Sequence, residues 1–90
     1  MRIEFIETTE FTKKAAHYLD DEEFNDFQLH LILNPHAGDL IPGSGGLRKV
    51  RWGGKGKGKR GGFRIIHFCR MVKNEIWLLD IYAKNEMENI

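Results

Sequence analysis

Cysteine is almost missing from this chain: Cys69 stands alone among 90 residues. One thiol excludes an internal disulfide and a cysteine-based zinc site, and a reducing, cytoplasmic location is the expectation. No apolar run approaches the roughly 20 residues that a membrane span needs. Met1-Arg2-Ile3-Glu4-Phe5 carries an acid inside its apolar stretch and no small-residue cleavage site, so an ordinary signal peptide is not expected. Histidines are few, and His17, His30 and His36 are scattered through the first half without an H-x-H or H-E-x-x-H spacing. No metal site is expected from them. Ninety residues suffice for one core, so residues 1–90 are read as a single domain.

Net charge is also near zero, at +1, yet its distribution is lopsided. Residues 1–46 hold nine acids and three bases, residues 47–64 hold eight bases and no acid, and residues 65–90 are nearly balanced. A local field of one sign attracts polyanions whatever the total charge. A solvated glycine-rich loop could also be basic, but eight bases without one acid favour a polyanion site.

The pattern predicts a strand over residues 2–7, where Ile3 and Phe5 alternate with charged neighbours. Phe11, Ala15, Tyr18 and Leu19 then share one helical face. Asp20 with Glu23 three residues on reads as a capping box. Phe24, Phe27 and Leu31 follow on one stripe extended by Ile32, and Asn34-Pro35 ends that helix. Residues 36–46 are glycine-rich loop, Leu47–Trp52 is a strand with a basic edge, and Gly53–Gly62 is a basic turn. Phe63–Met71 and Ile76–Ala83 read as a hairpin of two strands. The order β-α-α-β-β-β predicts an α+β fold, with two N-terminal helices packed on a mainly antiparallel twisted sheet.

Two glycine motifs mislead. Gly53-x-x-x-x-Gly58-Lys59 and Gly56-x-Gly58-x-x-Gly61 match nucleotide-binding patterns, but both need a helix directly after the loop. Phe63-Arg64-Ile65-Ile66-His67-Phe68 reads as a strand instead. The basic strand is the sharper signal. Lys49 and Arg51 are two apart, so they leave the same face, and Arg64 lies near them if the strands pair across the turn. Three converging cations suit a phosphodiester and the charge that develops in an in-line displacement. Among the aromatics, Trp52 beside the basic strand is the best candidate to stack on unpaired bases, and Phe63 is a second. Trp77, Phe68, Phe24 and Phe27 are expected in the core. His67 reads as a satisfied core histidine, with proton transfer as the alternative. Cys69 reads as a small buried hydrophobe.

Gly45-Gly46-Leu47-Arg48-Lys49-Val50-Arg51, then Gly56-Lys57-Gly58-Lys59-Arg60-Gly61-Gly62-x-Arg64-Ile65-Ile66, then Leu78-Leu79-x-Ile81-Tyr82-x-Lys84-Asn85-Glu86, resemble the RelE/ParE superfamily of bacterial toxins, closest to its HigB-type branch. The resemblance covers nearly the whole chain. It implies a RelE-like microbial RNase fold and a toxin of a type II toxin–antitoxin system, a ribosome-dependent mRNA endonuclease that inhibits translation. It implies a metal-independent reaction with no cofactor, in which the 2′-hydroxyl attacks the adjacent phosphate. The implied partners are a cognate antitoxin protein, the ribosomal A site and mRNA, with no membrane. Lys49 and Arg51 match the paired basic positions of the family pattern, Arg64 the arginine on the scissile phosphate, and Lys84 the basic residue ending the last strand. Asn85 stands where RelE has an arginine, and the tyrosine that follows there has no counterpart up to Ile90; Tyr82 is the substitute. Arg48, Trp52, Lys55, Lys57, Lys59 and Arg60 are the expected RNA grip. The rival readings are a non-catalytic nucleic-acid-binding module and a ParE-like gyrase inhibitor. HigB-type relatives usually continue into a C-terminal helix, so a form ending at Ile90 is expected to be the weaker nuclease.

Overall fold

The computed structural model describes residues 2–53 and 62–83. Strand β1 (Glu4–Glu7) leads into helix α1 (Thr9–Tyr18). Thr8 makes that junction. Its hydroxyl oxygen accepts from the Phe11 amide at 3.0 Å and caps α1, while the same hydroxyl donates to the Leu79 carbonyl at 2.8 Å. Helix α2 (Asp21–Leu33) starts in the expected capping box. Asp20 accepts from the Glu23 amide at 2.8 Å, and Glu23 accepts from the Asp20 amide at 3.1 Å. Such a cap contributes about 1 kcal/mol. The three acids of its first turn face the positive end of the helix dipole.

Four further strands follow: β2 (Asp39–Leu40), β3 (Arg48–Trp52), β4 (Phe63–Arg70) and β5 (Glu75–Ala83). The sheet order is β1-β5-β4-β3-β2. Among the described residues only β1 and β5 pair in parallel; the other pairs are antiparallel. The fold is thus α+β with a mainly antiparallel sheet. Strand β2 is an addition to the expected order, and it lies in the stretch read as loop. The turn between β4 and β5 is a 3-10 segment, Met71–Lys73, closed by Asn74 in the left-handed region at φ 55°, which asparagine tolerates better than most residues.

Side chains alternate across a strand, and directly paired residues share a face. On one face Val50, Phe63, Ile65, Ile76, Leu78 and Ile81 meet Phe11 of α1 and Phe27 and Leu31 of α2 in a single core. Both helices therefore pack on that face. Ile32 departs from the expected stripe: with Leu29 and Leu33 it sits on the outer side of α2, 43% exposed. Phe68 and Trp77 also depart from expectation. They are half-buried, pair across β4 and β5, and do not belong to the helix-side core.

One register shift matters. Ile66 pairs with Asp80 but His67 pairs with Leu78, so Leu79 is an extra residue on β5. A bulge frees a backbone group that must be satisfied elsewhere. The Thr8 hydroxyl satisfies the Leu79 carbonyl. Asp80, next in the chain, pairs with Lys14 of α1 at 2.8 Å, tying that helix to the same strand.

Candidate functional site

The face turned away from the helices carries the cations. Arg51 of β3 pairs directly with Arg64 of β4, and Arg64 pairs in turn with Tyr82 of β5. Lys49 lies two residues before Arg51 and pairs with Ile66. These four functional candidates, Lys49, Arg51, Arg64 and Tyr82, thus share one face across three adjacent strands. Arg51 is exposed; Lys49 and Arg64 are half-buried. Tyr82 is only 2% exposed. So little of it is open to solvent that the expected proton-transfer role for Tyr82 does not fit its burial.

Two residues of the expected RNA grip lie elsewhere. Trp52 follows Arg51, so alternation turns it to the helix side. There it meets Phe27 edge-on at 5.1 Å between ring centroids and His30 at 5.3 Å. Arg48 points to the same side and donates to the Gly38 carbonyl at 3.0 Å. Lys55, Lys57, Lys59, Arg60 and Lys84 lie outside the described residues.

Backbone packing sets the register of the cations. At Gly62 φ is +58°, and a Cβ would come within 2.6 Å of the Gly53 Cα and 2.7 Å of the Trp52 carbonyl oxygen. Only glycine lets the strands close this tightly just before Arg64.

His67 is fully buried on the helix side and its Nε2 lies 2.9 Å from the Ala37 carbonyl. A carbonyl only accepts, so Nε2 carries the proton and Nδ1 is left as an acceptor without a partner. Burial holds its pKa below the ordinary 6.5, against the Ala37 hydrogen bond; Arg48, His36 and His30 push the same way as burial. His67 is therefore a neutral structural residue that clips the α2–β2 connection to the sheet. Behind that connection a pocket of about 430 Å³ is lined by His30, Asn34, Pro35, His36 and Ala37. Cys69 is half-buried rather than buried, and burial pushes its thiol up with Arg48 opposing, which disfavours a thiolate nucleophile.

The unfolded chain binds a proton at His67 near pH 6.5, whereas the folded chain resists until lower pH. Stability is therefore full above about pH 6.5 and falls as the pH drops below it, by at most about 1.4 kcal/mol per pH unit for one group. His67→Gln keeps a donor for Ala37 and removes the titration. Urea unfolding at pH 7.5, 6.0 and 5.0 should show a flatter profile in the variant than in the wild type; identical slopes would exclude His67 as the source.

Among the described residues no group of three or more His, Cys, Asp or Glu side chains is placed to hold a metal ion, and no helix is long and apolar enough to cross a membrane. No protein-family model matches the chain.

Proposed function

We propose that the chain is a metal-independent endoribonuclease that cuts mRNA on the ribosome and so inhibits translation, as a toxin neutralised by a cognate antitoxin in the cytoplasm. The observation that carries this reading is the direct Arg51–Arg64 pairing with Lys49 on the same face. Three positive charges on one face make a local field of one sign, which attracts a phosphate. The resemblance of the Gly45–Arg51 and Gly56–Ile66 segments to RelE/ParE toxins narrows the polyanion to RNA.

The chemistry asked of such a face is electrostatic. The RNA 2′-hydroxyl attacks the adjacent phosphorus and loses its proton to water. The P–O5′ bond breaks, and the departing 5′-oxygen takes a proton from water. The products are a 2′,3′-cyclic phosphate and a 5′-hydroxyl. Arg64 and Arg51 hold the two non-bridging oxygens, whose charge grows at the five-coordinate stage, and Lys49 adds a third positive charge. Tyr82 lies opposite Arg64 on the neighbouring strand.

The test is a cell-free translation reaction programmed with a defined mRNA and read by primer extension. Discrete cuts that appear only when the mRNA is being translated support the toxin. Intact mRNA with retained RNA binding replaces it by a binding module, and a trapped gyrase–DNA complex in a parallel supercoiling assay replaces it by the ParE-like reading.

A further inference from the structure

The cationic face continues past Lys49 into an aromatic pair. Phe68 lies two residues beyond Ile66 on β4, and Ile66 is the register partner of Lys49. Phe68 is thus the diagonal neighbour of Lys49, about 7–8 Å away between Cα atoms. Trp77 pairs directly with Phe68 across β5. Both side chains lie on the face of Arg51 and Arg64, not on the helix side. Ile66 and Tyr82 on this face are closed from solvent at 4% and 2% exposure, while Phe68 and Trp77 stay half-buried. Among the described residues neither ring stacks on another aromatic; the ring pairs are Phe11–Phe24, Tyr18–Phe63, Phe27–Trp52 and His30–Trp52.

The pair is also held in place. The Trp77 indole Nε1 donates to the Glu75 carboxylate at 3.1 Å, and the same carboxylate oxygen faces Arg70 at 3.9 Å. This fixes the indole edge and its tilt. On the other side the loop before β3 closes on Phe68: a Cβ at Gly46 would sit 3.1 Å from the Phe68 Cε1. Gly46 thus forms a wall against the phenyl edge.

From this arrangement we infer that Phe68 and Trp77 form a stacking site for an unpaired RNA base, next to the phosphate-binding cations Lys49, Arg51 and Arg64. The inference rests on the RNA reading above and extends it to the base. A single-stranded RNA site combines a cationic track for the backbone with aromatic faces for the bases, and every base offers a π-face. Lys49 supplies the link between the two parts, because it neighbours both Arg51 and Phe68. Such stacking is tolerant of sequence, so the site favours unpaired over paired RNA more than it selects one base.

The probe is a short 2′-O-methyl RNA, which has no free 2′-hydroxyl and is not cut. Binding is followed at low salt by anisotropy of the labelled RNA and by tryptophan fluorescence. The chain has two tryptophans, and Trp52 is packed against Phe27 on the far face. RNA should quench wild-type fluorescence, and Trp77→Phe should abolish the quench while retaining more affinity than Trp77→Ala. Trp77→Ala should weaken binding between about 5- and 150-fold, the range for one stacked base. Trp77→Leu separates stacking from packing, since leucine fills space without a π-face. Leucine behaving as alanine supports stacking; leucine restoring full affinity overturns it. Quenching that persists in Trp77→Phe also overturns it. A wild-type chain that binds no RNA at low salt sinks the RNA reading itself, whereas salt-sensitive binding indifferent to Trp77 removes only the stacking site.

Discussion

Replacing Arg64 by alanine is expected to slow mRNA cleavage by about 100–1,000-fold, the usual effect of removing one donor that stabilises charge in a transition state. The guanidinium offers two parallel hydrogen bonds to a phosphate, a fork that lysine lacks. Arg64→Lys should therefore recover only part of the rate. Arg64 and Arg51 are register partners; if both serve one phosphate, as proposed, the Arg51→Ala/Arg64→Ala double variant should lose less than the product of the two single losses. Cleavage is read by primer extension in the translation reaction and folding by circular dichroism. A folded Arg64→Ala protein that cuts at the wild-type rate would falsify the assignment.

The largest effect on stability is expected at Phe27. Its ring is fully buried in the core and meets Trp52 edge-on. Truncating a buried phenylalanine to alanine costs about 3–5 kcal/mol, because the cavity left behind collapses only in part. A domain of this length has a total stability of roughly 5–13 kcal/mol. Phe27→Ala should thus remove a large share of the whole and shift the urea midpoint strongly downward. Phe27→Leu fills more of the space and should cost about half as much. Trp52 adjoins Arg51, so the loosened ring also frees the end of β3, and RNA affinity should fall more than in a surface variant of α2 such as Leu33→Ala. An unchanged urea midpoint in Phe27→Ala would show that α2 does not anchor β3.

Much of the helical half was legible because local rules decide it. The Asp20–Glu23 capping box and the Phe27–Leu31 spacing are short-range signals, and both hold. The two-residue spacing of Lys49 and Arg51 placed them on one face, and pairing of their strand with β4 brought Arg64 opposite Arg51. Other features had no local signal. Strand β2 has two residues and no measurable period; its pairing with Lys49 and Arg48 defines it. Phe63–Met71 reads as continuously apolar, which hides that Ile65 faces the helices while Phe68 faces the other way. Apolar residues on both faces erase the alternation that would have separated Phe68 and Trp77 from the core. Trp52 misled for a related reason: neighbours along a strand point apart, so standing next to Arg51 places it on the opposite face. Tyr82 shows the limit for burial, since its spacing sets which face it takes but not how far its neighbours enclose it.

The parallel pairing of β1 with β5 joins the first described strand to the last. Glu4 meets Glu75, and Glu7 meets Leu78. Closing a loop of about 70 residues costs roughly 4 kcal/mol beyond the constant for any closure, whereas the β3–β4–β5 meander closes through much shorter connections. Contacts of such long separation slow folding. During synthesis the start of the chain must wait: β1 has no neighbour in the sheet until residue 78 has emerged from the exit tunnel. The Thr8 hydroxyl that caps α1 waits with it, because its acceptor is the carbonyl of Leu79. The edge of the sheet is therefore sealed last, by the segment that the ribosome makes first.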